Sequence, residues 1–135
     1  MAADLPAVSG VKLHRPHTVL VVEDDAAVRN LSLTLLRRCG FRTLEAFDGE
    51  SGLSTFLKHQ NDVDLVLAEV VMPKVSGPRM VEQILEVKPS VKVVFMSGTA
   101  ETCGLYRQPK AFDIVRKPFS AEKLMTTMRA CLEKQ

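Results

Sequence analysis

Apolar positions along the chain come in short runs, separated by stretches with helical spacing. Residues 18–22, Thr-Val-Leu-Val-Val, form a continuous β-branched and apolar run, which predicts a strand buried on both faces. Val28, Leu31, Leu35 and Cys39 then recur at helical intervals, and Gly40 supplies a stop just past the helix end. A second strand is predicted over 42–46, and a helix over 49–59 carries Leu53, Phe56 and Leu57. The third strand runs over 63–67 and ends at Ala68-Glu69. Pro78 opens the next helix where proline is best tolerated, with Met80, Val81, Ile84 and Leu85 as its apolar face. Residues 91–96 predict a fourth strand and 113–116 a short fifth. Between them, 99–109 is a poor helix with Gly104 inside it. Ser120 is a suitable N-cap for a last helix lined by Leu124, Met128, Cys131 and Leu132.

Strands that alternate with helices predict an α/β fold, a parallel sheet covered on both faces and joined by right-handed crossovers. Ligands in such folds bind beyond the carboxyl ends of the strands. That rule singles out Glu23 and Asp24 after strand one, Glu69 after strand three, Ser97 after strand four and Lys117 after strand five. Three carboxylates in one crevice repel one another unless a proton or cation intervenes. Mg²⁺ is a hard cation held by one or two carboxylates and phosphate oxygens, and Lys117 and Ser97 suit a phosphoryl group. The plain alternative for Asp24 and Asp25 is a helix N-cap, since acids favour helix N-termini. Asp62-Val63-Asp64 precedes its strand and belongs at the opposite edge.

Composition narrows the class. The 135 residues are 46% hydrophobic and 25% charged, ordinary for one globular domain. No apolar run is long enough to span a bilayer. A net charge of +2 is too small to indicate nucleic-acid binding. Three cysteines without CxxC spacing suggest reduced thiols and a cytoplasmic location. Residues 1–17 lack periodicity and a signal-peptide pattern; they are expected to be a flexible tail or linker ahead of a domain over 18–135. His14 and His17 lie in that tail, and the six methionines are expected to fill core.

Val21-Val22-Glu23-Asp24-Asp25, Glu69-Val70-Val71-Met72-Pro73, Ser76-Gly77, Phe95-Met96-Ser97-Gly98 and Lys117-Pro118-Phe119 together resemble the receiver domain of two-component response regulators. The wording is most similar to receivers of hybrid sensor histidine kinases. The resemblance implies a flavodoxin-like, three-layer (βα)5 fold with sheet order 2-1-3-4-5. It implies Mg²⁺ on Glu23, Asp24, the acceptor carboxylate and the Val71 carbonyl. It further implies Ser97 as switch hydroxyl, Lys117 as the phosphoryl-sensing cation and a cis Lys117-Pro118 bond. Such domains take a phosphoryl group from a kinase histidine onto an aspartate.

This sequence departs from that pattern at the acceptor, where Glu69 replaces aspartate. Its extra methylene carries the carboxylate about 1.5 Å further into the pocket. A misplacement of about 1 Å can cost ~10²-fold in rate, so normal phosphorylation at Glu69 is not expected. The same extension brings charge towards Lys117 or Ser97. It mimics the modified state in part, since a phosphate carries roughly −1.5 to −2. Glu69 is thus a pseudo-receiver feature, an engineered phosphomimetic or an inert substitution. Ile114 stands where the switch aromatic is usual. Mg²⁺ is expected to bind weakly or not at all.

The expected function is non-enzymatic: a pseudo-receiver or phosphomimetic docking module with no output domain after the last helix. The expected partners are a sensor histidine kinase or histidine phosphotransfer protein, and a downstream protein on the face of the 99–109 segment, strand five and the last helix. Neither nucleic acid nor membrane is expected as a partner, and the chain is expected as a monomer or weak homodimer. Two alternatives stand beside it. One is Mg²⁺-dependent phosphorylation at another residue, Asp24 or Ser97. The other is a small α/β phosphotransfer enzyme, against which the absence of an Asp-x-Asp after strand one and of a glycine-rich first loop both count.

Overall fold

The computed structural model describes residues 15–98 and 112–134. Five strands form one parallel sheet: β1 (Thr18–Val22), β2 (Arg42–Ala46), β3 (Val63–Glu69), β4 (Lys92–Ser97) and β5 (Asp113–Arg116). Their order is β2-β1-β3-β4-β5, the flavodoxin-like arrangement. Among the described residues four helices cover it: α1 (Ala26–Arg38), α2 (Gly49–Lys58), α3 (Gly77–Val87) and α4 (Ala121–Glu133). The 99–109 segment, with Cys103, lies outside the described residues, as does His14.

The period-two alternation of the central strands divides the core into two. Leu20, Val22, Val66, Ala68 and Phe95 face one side, where Phe56 of α2 and Met80, Val81 and Ile84 of α3 cover them. Val19, Val21, Leu65, Leu67, Val94 and Met96 face the other, against Leu33 and Leu36 of α1 and Leu124, Met125 and Met128 of α4. Burying each such side chain is worth roughly 1.5–3 kcal/mol. The edge strands β2 and β5 are more polar and more exposed, as edges are.

Three expectations shift. The buried face of α1 is Ser32, Leu33 and Leu36, with Val28 and Leu35 packed beside it; Leu31 is 50% exposed and Cys39 is the C-cap. Ser32 is buried because its hydroxyl donates to the Val28 carbonyl one turn back. Leu57 of α2 is 43% exposed, and that helix instead lays Gly49 and Gly52 against its neighbours. Strand β4 starts one residue late and ends on Ser97.

Helix ends follow local chemistry. Asp25 caps α1 by accepting from the Ala27 and Val28 N–H groups, a role worth about 1 kcal/mol. Asp48 and Ser51 form a reciprocal capping box on α2, while Ser76 and Ser120 cap α3 and α4. Gly40 stops α1 with φ +92°, a backbone state that side chains disfavour. Ahead of β1, the His17 carbonyl accepts from the Arg42 N–H and Arg15 pairs with Asp64.

Candidate functional site

Parallel strands deliver their carboxyl ends to one edge, and the polar residues buried there are Glu23, Glu69 and Ser97. Glu23 follows β1, and its N–H continues the β1–β2 ladder by donating to the Ala46 carbonyl. Glu69 is the last residue of β3, paired in register with Met96 of β4. Ser97 closes β4, and its carbonyl accepts from the Lys117 N–H at 2.8 Å. That bond extends the β4–β5 ladder by one residue and fixes where Lys117 starts. The Lys117-Pro118 peptide is cis.

From the far side of β4, the Lys117 side chain reaches both acids. Its ammonium lies 2.7 Å from Glu23 Oε1 and also pairs with Glu69 Oε1. The other oxygens face backbone donors: Glu23 Oε2 accepts from the Asp25 N–H at 3.1 Å and Glu69 Oε2 from the Val71 N–H at 3.2 Å. Two buried carboxylates therefore share one ammonium. Burial pushes the Glu23 carboxyl above its ordinary range, against the pull of Lys117 and the Asp25 N–H. Burial alone would lower the Lys117 ammonium, but its bonds to Glu23 and Glu69 outweigh that and raise it.

Asp24 and Val71 stay exposed. Val71 contributes a backbone donor to Glu69, and Asp25, not Asp24, takes the N-cap role. Ile114 of β5 packs at the rim of the α2–α3 core, near the edge-to-face pair of Phe95 and Phe112, whose ring centroids lie 5.6 Å apart. Two supports had no clear sequence signal. Arg29 donates to the Glu23 carbonyl at 2.7 Å while its Nε lies 3.4 Å from Glu45. Gly77 donates to the Val70 carbonyl, and a Cβ there would lie 2.1 Å from the Glu69 carbonyl oxygen. The Ser76-Gly77-Pro78 wording marks a helix start but not this close approach.

As arranged, these residues do not fit a divalent cation. Mg²⁺ asks for oxygen ligands in near-octahedral geometry. Here both carboxylates already hold an ammonium and backbone N–H groups. Among the described residues no group of three or more His, Cys, Asp or Glu side chains is placed to hold a metal ion.

Known proteins share both fold and sequence with the chain. The family model of the response regulator receiver domain matches residues 19–129. The sensor kinase CckA of Brucella abortus is 37% identical over 120 residues, covering 87% of this chain and 13% of that protein. The probable transcriptional regulator ycf27 of Guillardia theta is 30% identical, over 92% of this chain and 48% of its own length. The chain thus spans half or less of these curated relatives. The receiver domain of the hybrid histidine kinase CckA superposes with a TM-score of 0.70 at 29% identity, covering 86% of this chain and 99% of that one. A receiver domain protein from Clostridium thermocellum gives 0.78 at 26% identity, covering 86% and 94%. No described helix is long and apolar enough to cross a membrane. With five parallel strands in the receiver order and a family match along most of its length, the chain belongs to the response regulator receiver domain family of two-component signalling.

Proposed function

We propose that this receiver domain is a docking module whose phosphoacceptor position is filled by Glu69, so that it signals without the usual phosphorylation. Receiver domains are regulatory and interact with histidine kinases or phosphotransfer proteins. The observation that carries the reading is the engagement of Glu69: one carboxylate oxygen on Lys117, the other on the Val71 N–H. An attacking oxygen must be free and in line with phosphorus, and both oxygens here face donors. The same contacts draw a negative charge onto Lys117, as a phosphoryl group would, though with −1 in place of roughly −1.5 to −2. On this reading Glu23, Glu69 and Lys117 set the state of the site. Ser97 and Ile114 belong to the switch, Pro118 shapes the loop after Lys117, and Asp24 and Val71 flank the pocket. The domain starts at Thr18, with residues 1–17 as a lead-in. The partners are a sensor histidine kinase or a histidine phosphotransfer protein, and a downstream protein on the β5–α4 side.

Intact mass after incubation with Mg²⁺ and a small phosphodonor tests this, with Glu69→Asp alongside. The expected outcome is one added phosphoryl mass on the aspartate variant and a rate at least ~10²-fold lower for the unsubstituted chain. Equal labelling of both would sink the reading and send the search for the acceptor to Asp24 or Ser97.

A further inference from the structure

Away from the acidic edge, the outer surfaces of α2 and α3 carry charge in opposite order. Gly52 and Phe56 of α2, and Met80 and Ile84 of α3, are buried towards the sheet. At about 3.6 residues per turn, that leaves Glu50, Ser54 and Lys58 outermost on α2 and Arg79, Glu82 and Glu86 outermost on α3. All of these are exposed. Helix α2 thus has its acid at the start and its base at the end, while α3 starts on a base and ends on an acid. We propose that the α2–α3 face docks a second copy of this chain, with the two copies antiparallel about a two-fold axis at Ser54.

Charge complementarity makes the case. Both helices cover one side of a parallel sheet and run back from its carboxyl edge, so they lie side by side and point the same way. Glu50 and Lys58 each lie four residues from Ser54. A two-fold axis there therefore sets Glu50 on the second copy's Lys58 and the reverse. The same operation brings Arg79, at the start of α3, towards the second copy's Glu86 at the end of it. Among the described residues neither Glu50 nor Lys58 has an ion-pair partner in its own chain. Beside these charges runs an apolar seam. Leu53 and Gln83 line a cleft of about 320 Å³ together with Val75, Asp48, Glu50 and Lys74. One turn further along each helix, Leu57 and Val87 are both 43% exposed. The antiparallel arrangement lays that pair over the second copy's Leu53 and Val75. It also brings Lys58 to a cleft that holds two acids against one lysine. Ser54 is small enough to let the helices approach where they cross. A face two helices wide and about 15 Å long is at the low end of interface sizes, so the dimer is weak. Glu69 takes no part in this face, so the inference is independent of the docking reading.

The test is sedimentation equilibrium of the whole chain from about 10 μM to about 1 mM, in about 50 mM salt so that exposed charges are only weakly screened. A reversible monomer–dimer equilibrium is expected. Glu50→Lys and Lys58→Glu should each weaken it about tenfold, since the two-fold axis makes every substitution act twice. Combining the two should restore it to within about threefold of the unsubstituted chain. The double variant carries whatever either reversal costs α2, so its recovery separates charge pairing from a fold defect. Leu57→Asp should leave a monomer with an unchanged circular dichroism spectrum. A chain that stays monomeric at the highest concentration overturns the inference and leaves the seam to a different protein. So does a dimer that neither reversal weakens, or a double variant no tighter than the single ones.

Discussion

The two edges of the sheet use the same residue types to different ends. At the amino edge, charges are satisfied one by one near solvent. Arg15 meets Asp64 at 3.1 Å, Lys134 meets Asp113 at 2.9 Å, and Lys88 donates to the Gln60 and Val63 carbonyls. Asp64 also accepts from the Thr18 N–H, tying the start of β1. At the carboxyl edge, two acids are buried and share one lysine. Surface pairs contribute little and are screened, whereas a buried charge without its partner is strongly destabilising. The amino edge therefore finishes the ends of strands. The carboxyl edge makes two buried acids depend on one shared lysine, which is what separates a site from a surface.

The sharpest way to break this contrast is through the backbone. At the carboxyl edge Gly77 lets α3 approach β3 so closely that a Cβ would sit 2.1 Å from the Glu69 carbonyl oxygen. Gly77→Ala must push backbone against backbone, with no flexible side chain to give way. A loss of about 3 kcal/mol is expected, read from urea unfolding midpoints. A loss under about 1 kcal/mol would mean that the loop carrying Val70 and Val71 relaxes freely, and that the site edge is no stiffer than the other.

The sequence exposes the sheet well because its signal is local. Residues 18–22 are apolar without a break, and that run lies between two helical layers. The α1 face was harder. Leu31 fits an apolar spacing yet is half exposed, while Ser32 looks polar and is buried, because its hydroxyl is satisfied inside its own helix. The site was legible as a set of residues at one edge, since each follows a strand. Its wiring was not. The sequence leaves Glu69 to pair with Lys117 or accept from Ser97, but the second contact of Lys117, to Glu23, depends on how the ends of β1, β3 and β5 meet, which no local pattern encodes. The Arg29 bond to the Glu23 carbonyl is hidden for the same reason.

A smaller effect sharpens the contrast through pH and salt. Lys117 and Lys134 both have ammonium groups raised above 10.5. Lys117 is raised because its two carboxylate bonds outweigh burial, and Lys134 because it bonds Asp113. A raised ammonium holds its proton more tightly when folded. Its stabilisation is complete below 10.5 and is lost as pH climbs through the folded value. Lys117 is 20% exposed and Lys134 57%. In about 1 M salt, where screening acts over ~3 Å, the Lys134 part should vanish and the Lys117 part persist. Urea midpoints taken upward from neutral pH, in low and high salt, measure this. An alkaline loss that salt removes entirely would place Lys117 on the same footing as a surface lysine.

The smallest expected effect lies at the amino edge and is the control for the rest. Arg15 is half exposed, and its guanidinium pairs with Asp64 while touching the Pro16 and Asp62 carbonyls at 3.3 and 3.4 Å. Arg15→Ala removes all three contacts, yet Asp64 keeps the Thr18 N–H at 2.8 Å and water reaches its free oxygen. The loss should therefore be about 0.5 kcal/mol, the usual worth of an exposed pair, and should shrink in salt. A loss above about 2 kcal/mol would show that the segment ahead of β1 is part of the fold's core and that this edge, too, depends on one charge. The asymmetry argues for the small value. A carboxylate that loses its arginine at the surface is hydrated at once, whereas Glu23 and Glu69, deprived of Lys117, stay buried with one backbone N–H each, from Asp25 and Val71.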